Sequence, residues 1–341
     1  MRKFGLLLIS VFLLFGCGQK SNVHTTFYFW KTNYKQDNKA DHYLQRFKSR
    51  SIYVRIMDVD FNPDLQQAAP VSPIKFSDPL PEQLEIIPVV YIVNNVFKQI
   101  DTTQNAVLAN RIATFVDAKV KQAGKPGFTT LQIDCDWTKS TKVNYFDFLE
   151  RLKVHRVMKG KQLSVTLRMH QVKNIVSSGI PPVERAMLMC YNMGNLRKFG
   201  PQNSILDQQE MTSYLQDHLK NYPLKLDVAL PVFEWAVVFR KGRYAGISKR
   251  IQKVQLDDGT LFKRDANSSL YELLVDYPAA GLKHGDVVRW ESVNAADLLL
   301  AAEFLGKHLK SDDRDLVFYH LDSNLLKNFT DEELQKVIAA L

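Results

Sequence analysis

Cysteine is scarce in this chain: three in 341 residues, and with Cys17 set aside only Cys135 and Cys190 remain. Two thiols inside apolar, strand-like segments build neither a disulfide framework nor a zinc pattern, so buried inert thiols are the default reading. Basic residues never run together beyond short stretches such as Arg240-Lys241-Gly242-Arg243. The formal charge of +9 therefore reads as a solvated, mildly cationic surface, and nucleic acid is not an expected partner. No glycine-rich phosphate turn follows an early strand, which argues against a doubly wound nucleotide-binding sheet. Beyond the N-terminus no stretch is long and apolar enough for a membrane helix. His and carboxylate ligands with metal spacing are missing, and Asp58-Val59-Asp60 makes half a metal site at most. Neither a metal nor a cofactor is expected.

What is present begins at the first residues. Arg2 and Lys3 form a short basic region, and residues 6–15 are almost unbroken apolar sequence. That run is about half the ~20 residues needed to span a bilayer, so it is a removable targeting segment. Leu14-Phe15-Gly16-Cys17 resembles the lipobox of bacterial lipoproteins, where the Cys is acylated and cleavage falls just before it. The resemblance implies a signal peptide over 1–16, lipidation of Cys17 and a polar tether over 17–24. The partner it implies is a lipid bilayer, gripped at roughly 0.8 kcal/mol per buried methylene. Phe15 is bulkier than the small residue usual at that place, and an ordinary secretory signal is the alternative. Gly18 is not the Asp that marks inner-membrane retention in some bacteria, so the expected location is the cell envelope at the outer membrane. Loss of Arg2 and Lys3 with the signal leaves a charge of +7.

About 320 residues remain, the size of one barrel domain. Eight short runs rich in β-branched and aromatic residues lie at 25–31, 51–60, 85–93, 129–138, 162–169, 185–192, 226–235 and 315–322. Each is mostly apolar, as strands buried on both faces of a parallel sheet must be. Amphipathic helical patterns fall between them at 39–48, 104–123, 144–158, 204–221 and 294–310. Thr330 and Glu333 have the capping-box spacing before a last helix. The alternation predicts an α/β fold, a (β/α)8 TIM barrel over 25–341 that is expected to be monomeric. Segment 240–291 breaks it with hairpin-like pieces at 254–262 and a strand-like 286–290, predicting a small β-rich insertion after strand 7, over the barrel mouth.

Active sites of such barrels lie at the C-terminal strand ends. Asp58 and Asp60 end the second run, Asp134 and Asp136 the fourth, and Arg168 and His170 the fifth. Tyr191 and Asn192 end the sixth, Glu234 and Trp235 the seventh, and His320 and Asp322 the eighth. Alternation predicts one shared face for Gln132, Asp134, Asp136 and Thr138. Two buried carboxylates two residues apart must share a proton or find donors, so one of them should hold a raised pKa. Trp30 and Trp235 are the better candidates for stacking on a sugar ring, with Tyr28 and Trp290 also considered, while Trp137 alternates away from Asp136 and should pack beneath the helices.

Gln132-Ile133-Asp134-Cys135-Asp136-Trp137-Thr138 resembles the fourth-strand motif Asp-x-x-Asp-x-Asp-x-Glu of family 18 glycoside hydrolases, the chitinase superfamily. Met189-Cys190-Tyr191-Asn192 resembles their sixth-strand Met-x-Tyr-Asp/Asn, and Leu230-Pro231 before an aromatic run resembles their seventh strand. The resemblance implies a carbohydrate or glycan as partner and substrate-assisted hydrolysis, in which the substrate's acetamido oxygen attacks the anomeric carbon. It assigns catalytic roles to Asp136, which would orient the acetamido group, to Asp134, which would tune Asp136, and to Tyr191, which would donate to the acetamido carbonyl. Trp30, Asp60, Arg168, Asn192, Trp235 and Asp322 are the candidate substrate-binding residues. Thr138 stands where the family has its general-acid Glu, and Leu131 where the motif's first Asp falls. Loss of a general acid typically costs 10²–10⁴-fold. Three readings follow: a sugar-binding barrel of weak or no activity, an active hydrolase with a relocated acid such as Glu234, or an envelope scaffold. Glu234 paired with Arg168 or Arg240 would be the bland alternative to a relocated acid.

Overall fold

A computed structural model of the protein describes residues 22–265 and 268–341. The signal peptide, Cys17 and most of the tether lie outside the described residues. Seven strands of the barrel ring come first: β1 (Val23–Phe29), β2 (Ser51–Asn62), β3 (Glu85–Ile92), β4 (Thr130–Asp134), β5 (Gln162–Arg168), β6 (Arg185–Met189) and β7 (Lys225–Pro231), with short strands at Asn33–Tyr34, Gln67–Val71 and Lys75–Phe76 outside it. Five strands of an insertion follow, β8 (Trp235–Arg240), β9 (Arg243–Ser248), β10 (Phe262–Arg264), β11 (Leu270–Leu273) and β12 (Val287–Glu291), and then β13 (Arg314–Tyr319). Strands β1 to β7 and β13 pair in parallel around a ring. It closes where β1 meets β2 through Tyr28 and Phe29 on one side and β13 through residues 23–27 on the other. The architecture is a (β/α)8 barrel with an additional antiparallel sheet.

The main helices are α1 (Asn38–Arg46), α2 (Asn105–Gln122), α3 (Lys142–Lys153), α4 (Gln208–Leu215), α5 (Ala295–His308) and α6 (Asp331–Ala339). Their starts follow from local chemistry. Asp37, Asp207 and Asn294 accept from backbone N–H groups of the first turns of α1, α4 and α5. Thr330 and Glu333 form the reciprocal capping box of α6. The helix expected over 204–221 shrinks to α4 because Ser204 is taken elsewhere: its N–H and hydroxyl both donate to Glu291. The piece at 254–262 is not a hairpin. Lys253–Leu256 forms a helical turn, and β10 pairs with β11 instead. The run at 226–235 splits in two, β7 ending at Pro231 and Trp235 opening the insertion sheet. That sheet runs from Trp235 to Glu291 and has its own small apolar core.

Inside the barrel the alternation is polar. Leu131, Ile133, Leu163, Val165 and Leu167 are buried among the apolar side chains of the main core. On the other face Gln132, Asp134, Ser164 and Thr166 meet one another within the ring. The Tyr28 hydroxyl donates to Gln132 Oε1 at 2.5 Å, and Thr166 donates to Asp134 at 2.6 Å. A barrel filled with hydrogen-bonding groups is a scaffold whose interior must be satisfied bond by bond.

Candidate functional site

Strand β4 stops at Asp134, so Asp136 and Thr138 stand in the loop beyond it. Asp134 is 8% exposed. Burial, then the neighbouring Asp136 charge, push its carboxyl up to about 7, against the hydrogen bond from Thr166 and the charge of Arg168. Near neutral pH it therefore exchanges between a donor and an acceptor. Asp136 is held differently. Arg168, at the end of the adjacent β5, donates Nε to Oδ1 at 2.7 Å and Nη2 to Oδ2 at 2.9 Å. Both carboxylate oxygens of Asp136 are thus occupied by a two-pronged guanidinium fork. Thr138 is exposed and turned to the start of α3: its N–H donates to the Thr141 hydroxyl at 3.0 Å, and its own hydroxyl lies 3.0 Å from Ser140 Oγ. It does not share the inward face of Asp134.

Tyr191 is buried beside these groups, its phenol pushed well above the usual range by burial and by the charges of Tyr28, Tyr319 and Asp134. Tyr91, at the end of β3 and in register with Asp134, is raised to about 12 by burial and by Asp136. Asp58 from β2 adds its charge to Asp134 while pairing with the buried Arg55 at 2.6 Å. The structure thus brings Asp134, Asp136, Arg168 and Tyr191 to one end of the ring, with Asp58 and Tyr91 alongside.

An aromatic belt crosses the same end. Trp30 meets Tyr319 at 5.5 Å between ring centroids, Tyr319 meets Tyr191 at 5.0 Å, Tyr191 meets Phe233 at 6.1 Å, and Phe233 meets Trp235 at 5.1 Å. Trp30 and Trp235 are the half-buried ends of that belt. Beyond Arg168 a groove of about 500 Å³ opens between the barrel rim and the insertion sheet. Arg168, His170, Asn192, Ser204, Trp235 and Ile247 line it. Asn192 is exposed in the left-handed region at φ 55°, a conformation asparagine tolerates better than most residues.

Other expected site residues are placed elsewhere. On β7 and β13 the inward series includes Asp227, Asp315 and Tyr319, whereas Glu234 lies in the link between β7 and β8 and His320 just past the end of β13. Glu234 is half-buried, its carboxyl raised by burial and lowered by Lys327; the charges that weigh most on Asp134 do not include it. Its suggested partners are engaged elsewhere, Arg168 with Asp136 and Arg240 with Asp286. Asp322 pairs with Lys31 at 2.9 Å and caps a short helical turn through Asn324 N–H, which is an architectural position. Burial drives His320 down to about 4. Asp60 stands where β2 outruns the barrel, opposite Ala69 of an added antiparallel strand, and accepts from Phe61 N–H. Trp137 is 1% exposed, stacks on Tyr145 and donates to the Ser178 carbonyl at 2.9 Å. Trp290 packs against the insertion core.

Sequence reasoning missed Tyr319, Phe233, Tyr91 and Glu291. The first two were within reach, since both continue inward series that buried carboxylates begin lower down. Glu291 carries no local signal. One of its oxygens accepts from Ser204 N–H at 2.7 Å, Ser204 Oγ at 2.6 Å and Trp235 Nε1 at 3.0 Å, and the other from Arg289 Nε at 2.6 Å. Arg289, fully buried, donates onward to the carbonyls of Leu196, Lys198 and Gly200. This pair fixes both the indole and the loop that wall the groove.

Neither a family model nor a curated protein matches the chain. Solved structures do. The spore cortex-lytic enzyme SleL of Bacillus cereus is 14% identical with a TM-score of 0.54, over 95% of this chain and 76% of that one. A class V chitinase from Pseudomonas fluorescens is 12% identical with a TM-score of 0.54, over 92% of this chain and 99% of that one. A chitinase from Chromobacterium violaceum is 14% identical with a TM-score of 0.52, over 93% and 98%. At these identities the likeness is one of fold: this chain and those enzymes share the (β/α)8 barrel.

Proposed function

We propose that this chain is an envelope-anchored lipoprotein whose barrel mouth binds a carbohydrate without the hydrolytic machinery of family 18 enzymes. The observation that carries the reading is the fork of Arg168 on Asp136. Substrate-assisted hydrolysis needs the motif's last Asp free to orient an acetamido group and a neighbouring acid to protonate the leaving oxygen. Here both Asp136 oxygens are already engaged, and Thr138 cannot release a proton near neutral pH. What is left suits recognition. The rings of Trp30 and Trp235 offer apolar faces for pyranose stacking, and Asn192, Arg168 and His170 offer polar contacts along an open groove. The lipobox-like Leu14-Phe15-Gly16-Cys17 supports the anchor.

The test is titration of N-acetylglucosamine oligomers and envelope glycan fragments into the protein, read by tryptophan fluorescence, beside an aryl N-acetylhexosaminide turnover assay. Binding without turnover, lost in Trp235→Ala, is the expected result. Turnover abolished by Asp136→Asn would establish the relocated-acid hydrolase instead. Absence of glycan binding would leave an envelope scaffold.

A further inference from the structure

The groove beyond Arg168 is walled by two segments with charge of one sign. Residues 190–206 and 235–256 supply most of its lining, and neither segment contains an Asp or a Glu. Of their basic side chains, Arg240 and Lys253 are matched by Asp286 and Asp257. Arg197, Lys198, Lys249 and Arg250 are exposed and, among the described residues, in no ion pair. The carboxylates bonded to groove residues add no free negative charge, since Asp136 is forked by Arg168 and Glu291 faces Arg289. The insertion's unpaired acids come after residue 256. Asp258 and Asp276 accept from the N–H groups of Thr260 and His284, and Glu272 on β11 stands opposite Lys263, two strands away from β8.

Arg197 is the member of that set held in place. The carbonyls on either side of it, of Leu196 and Lys198, accept from the buried Arg289 at 3.0 and 2.7 Å. Its own N–H donates to Asn195 Oδ1 at 3.0 Å, and Phe199 packs edge-on to Phe239 at 5.3 Å. The guanidinium lies over the Tyr244 ring, 5.7 Å from its centroid. Tyr244 is paired with Phe239, and the groove residue Ile247 with Val237, so both share the sheet face of Trp235. Strand β8 leaves the barrel at Trp235. Tyr244 therefore stands two residues, about 7 Å, beyond Ile247, at the outer end of the groove wall. A guanidinium fixed at its backbone and backed by a ring loses little freedom on taking an anion, and its fork of N–H groups fits carboxylate or phosphate oxygens.

We infer that the glycan of this groove is acidic: Arg197, over Tyr244, receives an anionic substituent, carboxylate or phosphate, on a sugar beyond the one stacked on Trp235. The inference rests on the sugar binding of the proposed function and names the class of sugar. Arg168 does not serve that role, because both its prongs are on Asp136. Lys198, Lys249 and Arg250 add an attractive field that salt screens.

The probes are the N-acetylglucosamine tetramer, the same tetramer carrying O6-carboxymethyl or O6-phosphate groups, and the methyl ester of the carboxymethyl form. Each is titrated into the full chain at low salt and followed by tryptophan fluorescence. A charged form binds about tenfold more tightly than the plain tetramer and the ester, the worth of one charge-assisted hydrogen bond. Whichever charged form gains more tells a carboxylate ligand from a phosphate one. The preference shrinks as salt rises and vanishes in Arg197→Gln, where charged and neutral forms bind alike. Tyr244→Ala, which removes the ring beneath the guanidinium, loses part of it, and Lys283→Gln, an exposed cation outside the groove lining, keeps it. Equal binding of charged and neutral tetramers by the wild type, or a preference that survives Arg197→Gln, overturns the acidic ligand and leaves the sugar site standing. A wild-type chain that binds none of the probes overturns both.

Discussion

Replacing Asp134 with asparagine should stabilise the protein in mildly alkaline buffer and leave it nearly unchanged in acid. Burial and the Asp136 charge hold the Asp134 carboxyl at about 7, against an ordinary value of 3.8. A carboxyl raised in this way favours its protonated form in the fold. Between the two values the folded chain keeps a proton that the unfolded chain has released. Stability from this group is therefore complete below about pH 4, drains away as pH climbs to about 7, and stays lost above it. A shift of roughly 3 units at about 1.4 kcal/mol each makes the loss about 4 kcal/mol. Asparagine keeps the shape, carries no charge, and can still accept from the Thr166 hydroxyl that now lies 2.6 Å away. At about 2 °C per kcal/mol for a barrel of this size, the variant should melt about 8 °C above wild type near pH 8. Thermal unfolding at both pH values is the assay, and the quantity read is the variant-minus-wild-type difference. Asp227 is also raised, by burial and by the charge of Asp315, so wild type and variant alike retain a slope from that second buried carboxyl. A variant less stable than wild type near pH 8, or a difference that is the same at both ends of the range, would refute the reasoning.

Glu291→Gln should cost about 3–5 kcal/mol, because it leaves the buried Arg289 guanidinium without its counter-charge; red-shifted Trp235 emission in the folded variant would mark loss of the indole's acceptor. Thr138→Glu places a carboxyl where family 18 enzymes carry their general acid, yet release of aryl alcohol from an aryl chitobioside should stay at background while Arg168 holds Asp136. Measurable turnover by that single variant would count against the fork as the decisive obstacle. Arg168→Ala should change stability by less than about 1 kcal/mol, since the pair is partly exposed at 26% and 37%. It should also move the Asp134 titration upward, read by carboxyl NMR, because the Arg168 charge now lowers that pKa.

The barrel was legible because strands buried on both faces advertise themselves as short apolar runs, and because Thr330 with Glu333 can hardly mean anything but a helix start. Asp134, Asp136, Arg168 and Tyr191 could be gathered from the sequence for a simple reason: each closes a strand-like run, and all strand ends of a parallel barrel share one rim. Alternation without a fixed origin was the weak step. Nothing in residues 315–322 alone says whether Tyr319 or His320 faces inward; the Tyr53 bond to Asp315 sets the phase, and it joins residues 262 apart in sequence. Glu234 was harder still to place, because it falls in the link between two strands, where alternation no longer applies. The Arg168–Asp136 fork was out of reach, because it depends on which strands are neighbours and on their register. Glu291 was hidden for a further reason: its partners come from an irregular loop whose shape the residue itself imposes.

The Arg289–Glu291 pair has a consequence for how such a mouth can diversify. One wall of the groove is borrowed from an insertion and welded to the 196–200 loop by a guanidinium that there reads only main-chain oxygens. Side chains on that loop are free to change without loosening the weld, while the eight-stranded frame below needs no adjustment. Homologues that differ in what they grip should therefore differ first in residues 195–199 and 243–248, on a wall that can be refaced while the house stands.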